Sequence, residues 1–231
     1  MTSLRDLSIL VAGATGGLGA PISRLLADAG ARLTLLGRDR GRLEALGLDA
    51  ALVAGDLRQA ETAGQAVAAA LAAHNQLDGL VVASGVVAFG PFGELTDEVL
   101  VDLFALNTLA PIRLLRAALP ALTASAGAGR QPFAVHLSAV VAEHPAAGLA
   151  AYSASKGALT AFDAAAGREL RRAGIRLIDA RPPHTETGLA GRPLAGTAPR
   201  LAQGLDPDAV AARVLAAVVG DERDLPSAAF S

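Results

Sequence analysis

A continuous apolar run at residues 7–12 passes straight into Gly13-Ala14-Thr15-Gly16-Gly17-Leu18-Gly19, and from there into Ile22-Ser23-Arg24-Leu25-Leu26-Ala27, whose apolar spacing is helical. A run without polar alternation belongs to a strand buried on both faces, so this opening spells strand, glycine turn, helix. The alternation continues with strands expected over 32–36, 50–54, 79–83, 134–137 and 175–180. Helices are expected over 38–46, 61–74, 152–172 and 207–219, and one more carries Asn107 and opens near Thr96 and Glu98. Strands that alternate with helices need crossover connections, which make a parallel sheet covered on both faces. The fold class is therefore α/β, a single doubly wound, Rossmann-type sheet flanked by helices. The glycines let the backbone take positive φ and let a ligand approach it closely, while the helix behind them offers unpaired N–H groups to a phosphate. Their spacing, Gly-x-x-x-Gly-x-Gly, differs from the common dinucleotide fingerprint, so the turn alone leaves phosphate site and structural bend both open.

Residues 1–231 read as one dinucleotide-binding and catalytic domain, since no charged or low-complexity linker divides them. Small aliphatic residues dominate a 52% hydrophobic, 3% aromatic composition, so the core has to be built from many small contacts. A net charge of −2 without a basic cluster argues against nucleic acid or an anionic membrane surface as partner. The chain has no cysteine, which excludes disulfide and thiol chemistry and fits a cytoplasmic location. Asp6 and the glycines interrupt the apolar opening, which is therefore not read as a signal peptide, and no stretch is long and apolar enough to span a bilayer. Residues 124–130, Ala-Ser-Ala-Gly-Ala-Gly-Arg, read as a flexible surface loop. Residues 182–204 hold prolines and glycines without periodicity and read as a mobile segment over a site. The stretch from 224 onward is too short and mixed for assignment.

Tyr152 and Lys156 stand four residues apart at the head of a helical run, on one face. They are the only tyrosine and the only lysine among 20 basic residues. Elsewhere the chain uses arginine, which neither loses a proton readily nor serves the same compact role. A phenol beside a cation makes a proton donor and acceptor working near neutral pH. Because functional loops of such a sheet gather at the carboxyl ends of its strands, the glycine turn, Gly37-Arg38, Asp56-Leu57, Ser84-Gly85, Ser138-Ala139 and Pro182 through Thr187 should share one rim. Loop residues Glu143, His144 and His184 lie beside the expected pocket. His136 reads as a satisfied strand residue and His74 as a surface cap, and no cluster has the makings of a metal site.

These residues resemble the short-chain dehydrogenase/reductase family over about residues 5–220. The glycine motif matches apart from Ala12 in place of a leading threonine, and Tyr-Ser-Ala-Ser-Lys-Gly-Ala-Leu from Tyr152 matches closely. The resemblance implies a nicotinamide dinucleotide held by Gly13, Thr15, Gly17, Leu18, Gly19, Arg38, Asp56, Leu57, Ser84, Gly85, Tyr152, Lys156, Pro182 and Thr187. Tyr152 would exchange the proton with the substrate oxygen, Lys156 would lower its pKa and hold the ribose, and Asn107 would hold a relay water. The serine that orients the carbonyl in the family falls at Ala139 here. Ser138 is one residue early, so it serves only if a bulge turns it inward. Pro183 replaces a family glycine, and Val82-Ala83-Ser84-Gly85 matches the Asn-Asn-Ala-Gly motif only in part.

The implied activity is interconversion of a carbonyl and an alcohol on a small or medium organic substrate. Arg38 follows strand two, where an NAD-selective chain would offer a carboxylate, so NADP(H) is preferred and NAD(H) is the second option. A small-residue face on the helix from Tyr152 fits a homodimer or homotetramer. The rival reading is a cofactor-binding protein of the same fold with little or no redox activity, acting through complexes.

Overall fold

The computed structural model describes residues 3–230. Seven parallel strands form one sheet: β1 (Ser8–Ala12), β2 (Arg32–Gly37), β3 (Ala50–Ala54), β4 (Gly79–Val82), β5 (Phe133–Leu137), β6 (Arg176–Ala180) and β7 (Asp224–Leu225), in the order β3-β2-β1-β4-β5-β6-β7. β1 pairs with β2 on one side and with β4 on the other, so the order reverses beside it and the loops after β1 and β4 part to leave a crevice. The expected fold class is thus observed, and the unassigned stretch contributes a short seventh strand along β6.

The helices are α1 (Gly19–Asp28), α2 (Arg40–Glu44), α3 (Ala60–His74), α4 (Asp97–Phe104), α5 (Ala110–Gly127), α6 (Ala150–Arg172) and α7 (Pro207–Val219). On one face of the sheet, Ile9, Val11, Leu33 and Leu35 pack against Ile22 and Leu26 of α1 and Val214 and Val218 of α7. On the other, Leu10, Leu36, Leu80 and Val82 meet Val67 of α3, Leu114 and Leu122 of α5 and Leu170 of α6. Alternate residues of the same strands feed the two cores, which is why β1 and β4 read almost entirely as apolar runs. Gly79 makes room for the ring of Phe133 in the first of these cores: a Cβ there would lie 2.7 Å from Cζ of Phe133.

Two local expectations are corrected. The stretch expected to be a loop at 124–130 is mostly helix, because α5 runs to Gly127. Alanine favours a helix, and Ser125 anchors the turn by donating to Asp78 Oδ1 at 2.6 Å. The helix expected over 38–46 is shorter, since Asp39 caps it by accepting from the Arg42 N–H. Thr96 caps α4 as expected, and a π-helical turn over Ala105–Leu109 joins α4 to α5 and carries Asn107.

The segment after β6 is tied down at several points. Thr185 bridges Leu205, Leu194 donates its N–H to the Val87 carbonyl, and Ala195 accepts from the Phe89 N–H. At the far edge Arg181 joins three elements. Its Nε donates to Glu143 Oε1 at 2.5 Å, Nη1 to Asp179 Oδ2 at 2.6 Å and Nη2 to Asp224 Oδ1 at 2.7 Å. Glu143 also accepts from the backbone and the hydroxyl of Ser227. These charge-assisted bonds hold the arginine pKa above its ordinary value despite burial.

Candidate active site

The loops at the carboxyl ends of the strands line two adjoining cavities. The first, about 270 Å³, is lined by Gly13, Thr15, Gly17 and Leu18 after β1, by Arg38 after β2, by Asp56 and Leu57 after β3 and by Ser84 and Gly85 after β4. Tyr152, Lys156 and Thr187 complete it. Sequence reasoning therefore placed most of the expected cofactor residues on one cleft. Gly19 is not on the wall; it lies beneath the turn, where a Cβ would come within 2.0 Å of the Gly13 carbonyl oxygen. Gly13 takes φ +78, and a Cβ there would meet the Ser84 backbone at 2.7 Å. Pro182 lines the second cavity instead.

The first cavity has the makings of a dinucleotide cradle. No side chain caps α1, and of its first turn the Ala20 and Ile22 N–H groups already bond the Gly16 and Leu18 carbonyls while Pro21 has none, so a phosphate would be met by the backbone of the glycine turn ahead of the helix. The Ser84 hydroxyl is buried there without a hydrogen-bond partner. Asp56 is held by Arg58, whose Nη2 donates to Oδ2 at 2.6 Å and whose side chain keeps the carboxyl pKa below its ordinary value. Two further arginines on this wall were not singled out from the sequence. Arg42 donates to the Thr15 carbonyl at 3.1 Å, and Arg192 donates to the Gly188 carbonyl at 3.1 Å. The first had a readable signal, a second arginine four residues past Arg38 just after β2. The second sits in the aperiodic segment and had none.

Tyr152 and Lys156 project from the first turns of α6, and both are buried. Burial pushes the phenol up to about 12 and the ammonium down to about 8, the lysine shift being opposed by the charges of Asp179 and Asp163. The expected lowering of the tyrosine by Lys156 is not what this arrangement produces, because desolvation sets the phenol. Lys156 Nζ donates to the Leu137 carbonyl at 2.7 Å.

Asn107 is fully buried, with Oδ1 accepting from the Val86 N–H at 2.9 Å and Nδ2 donating to the Val86 carbonyl at 2.9 Å and to Ser155 Oγ at 3.1 Å. Its amide braces the loop after β4 against α6.

Ser138 shows no inward-turning bulge. Its N–H continues the β5–β6 ladder by donating to the Ala180 carbonyl, and its hydroxyl donates to the Lys156 carbonyl at 3.2 Å and lies 3.1 Å from Thr160 Oγ1. The side chain thus engages α6, as strand alternation requires, and Ala139 lines the second cavity beside Tyr152. Ser138 nonetheless lies on the wall of both cavities, with its hydroxyl engaged by α6.

Glu143 is taken up by Arg181 and Ser227, and His144 is on neither cavity wall. His184 does line the second cavity. His136, in β5, pairs through Nδ1 with Asp163 Oδ1 at 2.8 Å, but its Nε2 has no partner, so it is only half satisfied. His74 bonds the Leu33 carbonyl at 3.2 Å. Among the described residues no group of side chains has the makings of a metal site.

A family model described as short chain dehydrogenase matches residues 8–195. The chain belongs to the short-chain dehydrogenase family. An ipsdienol dehydrogenase of Ips pini is 28% identical over 83% of this chain and 79% of its own length. An uncharacterized oxidoreductase of Methylorubrum extorquens is 31% identical over 83% and 80%. An uncharacterized oxidoreductase of Mycobacterium tuberculosis is 46% identical, but the match spans only 42% of this chain and 37% of that relative. Among solved structures, a metagenomic short-chain oxidoreductase in complex with NADP superposes with TM-score 0.79 at 30% identity, covering 97% of this chain and 98% of the other. A 3-ketoacyl-(acyl-carrier-protein) reductase from Brucella melitensis complexed with NADH reaches TM-score 0.88 over 97% of both chains, and at 22% identity it speaks for the fold alone.

Proposed function

We propose that the chain is an NADP(H)-dependent reductase of ketones or aldehydes, with Tyr152 as the proton donor to the substrate oxygen. The observation that carries this is the position of Tyr152, which lines both the glycine-turn cavity and the apolar one beside it. A group shared by a cofactor cleft and a substrate pocket stands where a proton must be delivered. A nicotinamide bound in the first cavity supplies the hydride. Gly13, Thr15, Gly17 and Leu18 would hold its diphosphate, Asp56 and Leu57 would flank the adenine, and Arg38 with Arg42 would meet a 2′-phosphate. Ser84, Gly85, Lys156, Pro182 and Thr187 would bound the nicotinamide half. The phenol is protonated at neutral pH, the form that can donate to a substrate oxygen, and burial makes it a weaker acid than a free tyrosine. Lys156, with its pKa near 8, remains largely cationic there and stabilises charge developing at the phenol oxygen.

The reading extends to a cytoplasmic homodimer or homotetramer acting on a small-molecule substrate without nucleic acid or membrane. No helix among the described residues is long and apolar enough to cross a membrane. Loss of the serine at Ala139 favours the second reading, a cofactor-binding protein with weak redox activity. Loss of NADPH absorbance with acetophenone decides between them. Turnover in the wild type and its loss by at least about a thousandfold in Tyr152→Phe are expected; equal rates in the two proteins would refute the assignment.

A further inference from the structure

The second cavity differs chemically from the first. Its volume is about 200 Å³, and its walls come from Val87 and Phe89 after β4, Val141 after β5, Leu149 before α6, and Leu189 and Leu201 of the segment after β6. Among the described residues no arginine, lysine, aspartate or glutamate lines it, whereas the first cavity carries Arg38, Arg42, Arg192, Asp56 and Lys156. Its polar side chains are largely committed elsewhere. Ser138 bonds α6, Thr185 donates to the Pro183 carbonyl at 2.9 Å, and His184 Nε2 lies 3.4 Å from Glu186 Oε1. Thr187, whose hydroxyl accepts from the Leu189 N–H, and Tyr152 are the hydroxyls left to meet a substrate oxygen.

Resting on the reductase reading, we propose that this cavity selects uncharged, predominantly apolar ketones and aldehydes and rejects those bearing a carboxylate or phosphate beside the carbonyl. An anion leaving water for these walls finds no fixed cation, and its desolvation goes uncompensated. An apolar cavity of about 150 Å³ accommodates benzene, so this one takes on the order of eight to ten non-hydrogen atoms. A charged cofactor cleft and a neutral substrate pocket thus meet at one tyrosine.

Ethyl pyruvate and 2-oxopentanoate test the proposal, because they contain the same number of non-hydrogen atoms and differ in where the carboxyl group is masked. Binding is measured by equilibrium dialysis against the wild-type chain saturated with NADP+, where no turnover occurs, and kcat/KM is measured separately with NADPH. The ester should bind about a hundredfold more tightly. A preference smaller than about tenfold, binding of neither probe, or preferred binding of the acid overturns the selectivity. The catalytic reading fails differently: dialysis would still favour the ester while NADPH is consumed with neither compound.

Discussion

Restoring a hydroxyl at Ala139 is the most direct probe of how this site treats a developing alkoxide. Ala139 lines the substrate cavity beside Tyr152, while the hydroxyl next to it in sequence, on Ser138, is engaged with α6. No serine hydroxyl therefore joins the phenol in stabilising the substrate oxygen as negative charge builds. A second preorganised donor contributes about 3 kcal/mol to such a transition state. Immobilising one new hydroxyl rotor in a half-exposed position takes back about 1 kcal/mol. The net gain of about 2 kcal/mol corresponds to roughly thirtyfold in kcat. The backbone imposes no obstacle, because Ala139 is extended at φ −170 and ψ 161, a conformation serine adopts freely. Single-turnover reduction of acetophenone at saturating NADPH, compared in wild type, Ala139→Ser and Ser138→Ala, reads the effect. Ala139→Ser should be roughly thirtyfold faster, and Ser138→Ala should keep its chemical rate while losing about 1–2 kcal/mol of stability with its hydrogen bonds. An unchanged Ala139→Ser together with a crippled Ser138→Ala would refute the reasoning, for it would mean that Ser138 reaches the substrate after all.

Arg38→Ala and Arg42→Ala should each weaken NADPH while leaving NADH affinity nearly unchanged, and the double variant should bind the two alike; fluorescence titration of both cofactors checks this. Lys156 has its pKa lowered from 10.5 to about 8, so between these values the unfolded chain binds more protons and wild-type stability rises with pH. Below pH 8 the burial penalty is fully present, about 3 kcal/mol, against about 1 kcal/mol lost with the bond to the Leu137 carbonyl. Lys156→Met should accordingly be about 2 kcal/mol more stable than wild type at pH 7 and lose that lead near pH 10 in urea unfolding; a lead independent of pH would dismiss the argument. Sedimentation velocity at micromolar concentration should show a dimer or tetramer, and a single 23.1 kDa species would rule out self-association.

The order of elements was legible because the central strands β1 and β4 are buried on both faces and read as apolar runs, and because β1, β2, β3, β4 and β6 are closely followed by a glycine, proline or acidic residue. The glycine turn, Asp56 and the Tyr152–Lys156 spacing marked the cleft for the same reason: local geometry fixes which residues can stand there. What the sequence hid were outcomes of tertiary packing. Alternation along β5 predicted that Ser138 would face α6, yet only the bonds to Lys156 and Thr160 decide against a bulge. The direction of the Tyr152 shift depends on how completely α6 is covered, which spacing does not encode. At residues 124–130 glycines suggested a loop, but the bond from Ser125 to buried Asp78, 47 residues away, keeps the last turn of α5 wound.

The arginine at position 181 makes the far edge of the sheet and the wall of the substrate cavity a single mechanical unit. Glu143 ends the short turn over Val140–Ala142, of which Val140 and Val141 line the second cavity, and it is gripped from one side by Arg181 and from the other by Ser227. A disturbance at residues 224–227, twenty or more positions past the segment that covers the cavity, is therefore transmitted to the substrate wall through salt bridges. Insertions or fusions placed there would act as remote levers on substrate fit, with three strands standing between β7 and β1, which the glycine turn follows.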